Sequence, residues 1–240
     1  MKTIFARINW FYDLIIIFTG LAIKIFIWPF VPKPYGSKIA SCFIHALIFN
    51  PVKVIGKIHP ETQMLIANHQ SDIDISTLEC STKRDLVWVA KKELFSVPFF
   101  GLAVRVSDDI AVDRDSKAAL VSLVRETKKR LDKGRCVVMF PEGTRSNGKK
   151  MRAFKPGAKV VADKYQLRVQ PVVLINTARY FDLKNKHAQI GSITVVYLDS
   201  FIASKQSENW LSELQVTMQN VYDTYLAELD SKQGVKVFAK

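Results

Sequence analysis

Two short segments hold the residue types that could carry chemistry. Asn68-His69-Gln70-Ser71-Asp72-Ile73-Asp74 sets an imidazole five residues before one carboxylate and three before another. An imidazole titrates near neutral pH and can act as a general base, best when a carboxylate holds its other ring nitrogen. On an unbroken helix the five-residue step turns Asp74 about 140° from His69, whereas Asp72 lies about 60° away, so helical geometry alone prefers Asp72. If the chain instead turns at the histidine and a helix starts near Ser71, Asp74 in its first turn points back at the ring. Asp72 then serves near the positive helix N-terminus. Spacing leaves both aspartates open, and a lone histidine beside a carboxylate is equally what a structural or surface histidine looks like.

The second segment, Phe140-Pro141-Glu142-Gly143-Thr144-Arg145-Ser146, follows the apolar run CVVMF and leads into Asn147-Gly148-Lys149-Lys150-Met151-Arg152. Glycine permits close backbone approach, threonine and serine supply hydroxyls, and arginine grips a phosphate through two parallel hydrogen bonds. The segment reads as an anion site on a loop. GxxxxGK[ST] is absent, which removes support for ATP chemistry.

These segments need elements to position them. Beyond Asn50 the apolar residues fall in short strand-like runs, VKVIGKI, MLIAN, DLVWVA, DDIAV, CVVMF, VQPVVLI and ITVVYL, separated by helical stretches and turn residues. This is an α/β pattern, and the histidine segment lies at a strand-to-helix turn. One helix is expected over Ser116 to Lys133, with Leu120, Leu123, Val124, Thr127 and Leu131 on one face, Ser116 as cap and Gly134 as stop. A second is expected from about Ser207 to Leu229, with Leu211, Leu214, Met218, Val221, Tyr225 and Leu229 in phase.

The N-terminal 50 residues differ. Leu14 to Val31 is apolar apart from Lys24, near the length needed to cross a bilayer, and prolines 29, 32 and 34 break it. No small-residue cleavage site follows, which argues against a signal peptide. A second apolar stretch, Ile39 to Phe49, has Ser41 and His45 on one helical face. Together they predict a membrane-binding helical hairpin over residues 1–50, dipping into one leaflet, with Lys24 snorkelling to a headgroup, ahead of one α/β domain over 51–240. A true span stays open.

With 35 basic and 22 acidic residues the chain carries +13, so its partner surface is expected to be anionic: lipid, phosphorylated substrate or nucleic acid. Basic residues interleaved with aromatics in a nucleic-acid pattern are absent, so nucleic acid is set aside. Cys42, Cys80 and Cys136 are odd in number and lack metal or disulfide-framework spacing, so no metal and no disulfide are expected and a reducing, cytoplasmic-facing location follows.

The two segments together resemble the 1-acyl-sn-glycerol-3-phosphate acyltransferase family, bacterial type. Its NHxxxxD block matches Asn68-His69 with Asp74, and its FPEGTRS block matches Phe140 to Ser146 without substitution. Ile110-Ala111-Val112-Asp113-Arg114 and the run Ala90 to Phe95 with Pro98-Phe99-Phe100-Gly101 are also similar to the family. The fourth block departs: Arg168 stands where the family's V-P-x-x-P strand has its first proline, and Pro171 at the second. Phe154-Lys155-Pro156-Gly157-Ala158 has proline where lysine is more usual.

The resemblance implies a mixed central β-sheet flanked by helices and chooses Asp74 over Asp72. It implies acyl transfer from acyl-CoA or acyl carrier protein, with no bound cofactor, to the sn-2 hydroxyl of lysophosphatidic acid. His69 would be the base and Asp74 its partner. Arg114, Gly143, Thr144 and Arg145 would hold the glycerol phosphate, Glu142 would bind a glycerol hydroxyl or orient the arginine, and Lys91 would reach a substrate phosphate or stay solvated. Anionic membrane lipid is the expected surface. The alternatives are another acceptor, such as glycerol 3-phosphate or another lysophospholipid, and a basic membrane-binding module without catalysis.

Overall fold

The apolar runs pair into one eight-stranded sheet in the computed structural model, which describes residues 2–113, 116, 118–146 and 148–232. Along the chain come α1 (Lys2–Ile27), α2 (Lys33–Leu47), β1 (Val52–Ile55), β2 (Met64–Ala67), α3 (Asp74–Ser81), β3 (Leu86–Lys91), a 3-10 turn (Lys92–Ser96), α4 (Phe100–Val106) and β4 (Ile110–Val112). There follow α5 (Ala119–Leu131), β5 (Cys136–Met139), α6 (Gly157–Lys164), β6 (Arg168–Ile175), α7 (Thr177–Tyr180), β7 (Phe181–Asp182), β8 (His187–Ala188), β9 (Ile193–Tyr197), β10 (Phe201–Ile202) and α8 (Trp210–Lys232).

The sheet order is β1-β9-β6-β2-β5-β3-β4, with β10 beside β6 and a separate β7–β8 hairpin. Pairing is parallel except for β6–β9 and β10–β6, so the sheet is mixed. The central strands β2 and β5 are buried at every residue, because helices cover both faces and leave no side that tolerates a polar residue. Alternate side chains divide the core. Met64, Ile66, Val137, Met139 and Val173 pack beneath α5, α6 and α8, whereas Leu65, Ala67, Val138 and Leu174 pack with Leu78 of α3.

Two helix boundaries differ from expectation. Helix α5 begins at Ala119, so Leu123, Val124 and Thr127 are buried but Leu120 is 42% exposed. The Ser116 hydroxyl accepts the Ala118 N–H in the turn before the helix, and Gly134, at φ +72°, ends it. Helix α8 starts at Trp210, with Leu211, Leu214 and Met218 buried in phase.

The N-terminal hairpin is present, and its fastening was not expected. Gly20 lets α1 close on α2, since a Cβ there would lie 2.4 Å from the Ile44 side chain. Trp10, Leu14 and Ile17 of α1 pack against Ile73, Tyr180 and Phe181. Lys24 does not snorkel: it is buried and pairs with Glu79 of α3 at 3.1 Å, where Glu79 also accepts the Ser41 hydroxyl (2.7 Å) and the Trp88 indole N–H (3.2 Å). The inner face of α1 is thus occupied by protein, which supplies the partner a headgroup was expected to supply. Lys38 of α2 donates to the carbonyls of Cys80 and Thr82, and His45 faces the Ser76 and Thr77 hydroxyls at 3.2 Å.

Cys42 and Cys80 form a disulfide between α2 and α3, which corrects the expectation of free thiols; Cys136 is free and buried. Cysteines 38 residues apart carry no pairing signal in sequence, and only the packing of α2 on α3 brings them together. The pairing also removes the cysteine argument for a reducing compartment.

Candidate active site

The site begins where β2 ends. Asn68 donates its amide to the Leu174 carbonyl (2.9 Å) and accepts the Leu174 N–H (2.7 Å), so its side chain replaces a rung of backbone pairing to β6. The main chain is then free to leave the sheet at His69. It turns rather than continuing as a helix, and α3 starts only at Asp74.

That turn decides between the aspartates. His69 Nδ1 lies 2.7 Å from Asp74 Oδ2, and the same oxygen accepts the N–H groups of Gln70 (2.6 Å) and Ser71 (2.9 Å). A carboxylate oxygen taking two backbone N–H groups is an acceptor, so Nδ1 is the ring nitrogen that donates to Asp74 and Nε2 is the one left to meet a substrate. Asp74 is fully buried while the His69 side chain is 19% exposed, leaving one edge of the ring reachable. Asp72, the choice of unbroken helical geometry, is turned away and pairs with Arg145. Burial raises the Asp72 pKa, and the Arg145 guanidinium works against that rise.

The second segment clasps the first. The His69 N–H donates to Glu142 Oε1 (2.7 Å), and the Ser146 N–H donates to the His69 carbonyl (2.7 Å). Glu142 Oε2 accepts the Arg152 N–H at 2.7 Å. Both Glu142 oxygens are therefore engaged by backbone in a buried position, where desolvation raises the pKa. Where a glycerol contact or an arginine partner was expected, these bonds make Glu142 a brace of the histidine turn against the loop.

Other expected residues are placed as follows. Gly143 has φ +70°, and a Cβ there would sit 3.0 Å from the Lys155 amine, so glycine serves both the turn and the close approach of Lys155. Thr144 and Arg145 are exposed at the mouth, with the Arg152 guanidinium donating to the Arg145 carbonyl at 3.2 Å. Lys91 pairs with Glu93 at 3.0 Å on the surface, with Lys92 beside it on Asp113, and no described bond joins either lysine to the two segments. Arg114 lies outside the described residues. Among the described residues no His, Cys, Asp and Glu group has the arrangement of a metal site.

Sequence reasoning assigned no role to Phe140, whose ring stacks on His69 (centroids 4.1 Å apart, 10° between planes) and on Trp88 (5.4 Å). The stack leaves the imidazole little freedom to rotate away from Asp74. An aromatic residue heading the Pro141-Glu142-Gly143 turn was the available signal. For Asn68 the signal was an amide at a strand end; for Lys155 there was none.

The arrangement can take a proton from a hydroxyl at Nε2, store it as an imidazolium against Asp74, and hold an anion near Arg145, Arg152 and Lys155. A model of the family described as Acyltransferase matches residues 52–175, which include every residue of this site. The chain is 37% identical over 225 residues to the 1-acyl-sn-glycerol-3-phosphate acyltransferase of Helicobacter pylori, covering 92% of this chain and 94% of that one. To the enzyme of the same name from Escherichia coli it is 30% identical over 168 residues, covering 70% and 68%. The crystal structure of the 1-acyl-sn-glycerophosphate acyltransferase PlsC from Thermotoga maritima shares the fold, with a TM-score of 0.75, 21% identity and coverage of 96% and 98%. The chain belongs to the 1-acyl-sn-glycerol-3-phosphate acyltransferase family.

Proposed function

We propose that this enzyme moves a fatty acyl group from a thioester, on coenzyme A or acyl carrier protein, to the 2-hydroxyl of 1-acyl-sn-glycerol 3-phosphate, forming phosphatidic acid. The observation that carries the reading is an imidazole held through Nδ1 by Asp74, with Nε2 free beside a cationic loop. Nε2 takes the hydroxyl proton as the alkoxide oxygen attacks the thioester carbonyl. The tetrahedral adduct collapses, the C–S bond breaks, and the imidazolium returns the proton to the departing thiolate. No serine or cysteine nucleophile is needed.

A positioned base supplies about 10²–10⁴ in rate. The larger share comes from holding both substrates in place, worth roughly 7–11 kcal/mol. The acceptor's phosphate falls to Arg145, Thr144 and the amine of Lys155 over Gly143.

The acceptor is an amphiphile, and the hairpin is built to meet it. The Ile4–Ile27 stretch is long and apolar enough to cross a membrane, with mean hydropathy 1.9. Its inner face is packed on the enzyme, while Ile4, Phe5, Ile8, Phe11, Ile15 and Phe18 on the outer face are each at least 50% exposed. A helix covered on one side by protein and apolar on the other lies in the plane of one leaflet. A cytoplasmic supply of the soluble thioester donor supports the cytoplasmic face for that leaflet.

The test is an acceptor-by-donor activity matrix with the purified full chain: lysophosphatidate, glycerol 3-phosphate and lysophosphatidylcholine against both donors. Turnover is expected with lysophosphatidate. Turnover confined to glycerol 3-phosphate would sink the assignment.

A further inference from the structure

A groove of about 500 Å³ runs between α5 and α6 on the face of the sheet opposite the membrane hairpin. Its floor is apolar: Leu120, Val121, Val124, Val160 and Tyr165, of which Val121 is 69% and Leu120 42% exposed. Its rim is cationic, from Arg125, Lys128, Lys129 and Lys164. Ion pairing reduces this charge without cancelling it: Lys128 pairs with Asp132, whereas Arg125 and Lys129 share the one carboxylate of Glu126 with Arg130, and Lys164 lies on the far rim. An apolar trough edged by unbalanced cations is complementary to a helix with an apolar stripe between acidic residues.

Position narrows the occupant. The outward apolar stripe of α1 lies beyond α3, on the other side of the sheet, so a bilayer meeting that stripe does not reach this groove. A second copy of a +13 chain would bring like charge to a basic rim. What remains is a soluble acidic protein. Helix α6 follows directly from the Phe140 loop, and Gly157 in its first turn lies against Leu123 of α5, so the head of the groove stands at the foot of the catalytic loop.

We propose that the α5–α6 groove docks an acidic, amphipathic helix of the protein that carries the acyl thioester. This rests on the acyl-transfer reading above and adds to it the surface by which a protein-borne donor is distinguished from a free one. A small donor needs the site alone, whereas a carrier protein gains from the groove.

The experiment uses the full chain on vesicles containing lysophosphatidate, with one acyl group presented on coenzyme A or on acyl carrier protein. In Lys128→Glu/Lys164→Glu, kcat/KM for the carrier-borne donor is expected to fall about tenfold or more and to lose its salt dependence. The coenzyme A rate and vesicle binding stay unchanged, and Lys128→Arg/Lys164→Arg keeps both rates. Equal loss with both donors, no loss with either, loss of vesicle binding, or a wild type that uses only acyl-CoA would each overturn the proposal. Wild-type inactivity with both donors would strike the acyl-transfer reading itself, and the proposal with it.

Discussion

Glu142→Gln separates a brace from a substrate contact. Glu142 accepts the His69 N–H on one oxygen and the Arg152 N–H on the other, each at 2.7 Å and buried. Glutamine keeps one acceptor and turns an NH₂ group toward the other N–H, so one charge-assisted bond is lost and two donors face each other. Loss of such a bond costs about 1.5–3 kcal/mol. If that cost falls on the geometry of the histidine turn, kcat drops about 10- to 100-fold, at roughly 1.4 kcal/mol per decade. KM for lysophosphatidate should hold within about twofold, since uniform binding is untouched. The assay is steady-state kinetics over the acceptor concentration, with a melting curve to confirm folding. Raised KM with unchanged kcat would show that Glu142 touches the acceptor, and would refute the brace.

Replacing Asp74 by Asn either removes the charge that stabilises the imidazolium or presents an NH₂ group to Nδ1 and fixes the wrong tautomer, so kcat should fall by about 10⁴. A loss under tenfold, measured in the same assay, would remove Asp74 from the mechanism. Lys24→Ala leaves Glu79 buried without its cation and should destabilise the fold by about 3–5 kcal/mol in denaturant titrations; a change near zero would mean that the hairpin is not fastened by this pair. Asp109 is buried, and desolvation pushes its pKa up to about 7, against the ordinary 3.8. The folded state then binds the extra proton, so this residue's contribution is complete below pH 4 and is lost as pH rises through 7. Asp109→Asn, which keeps an acceptor for the Trp88 N–H, should flatten the dependence of melting temperature on pH across that window. An unchanged slope would contradict it.

The α/β pattern was legible because parallel strands buried on both faces must be apolar throughout, and each of the seven runs became a strand. The hairpin was legible from its hydropathy, but its attachment was not. Lys24 met Glu79, and Cys42 met Cys80, across distances in sequence that no local pattern reports. At the site, His69 was legible from its chemistry, whereas its partner depended on where α3 begins. Asp74 precedes any helical turn that would carry it away, and the Asn68 stitch to Leu174 frees the chain to bend there. The bracing bonds of Glu142 were not legible, because a carboxylate in a polar loop looks like a ligand group. Its burial by two backbone donors depends on the histidine segment, which lies 73 residues earlier.

The central claim is that His69 Nε2 removes the acceptor's proton. The direct measurement is kcat of His69→Ala with lysophosphatidate and acyl-CoA on vesicles, alongside vesicle binding. A loss of about 10²–10⁴ with vesicle binding intact is expected, and activity retained within tenfold of wild type would remove His69 from the proton transfer.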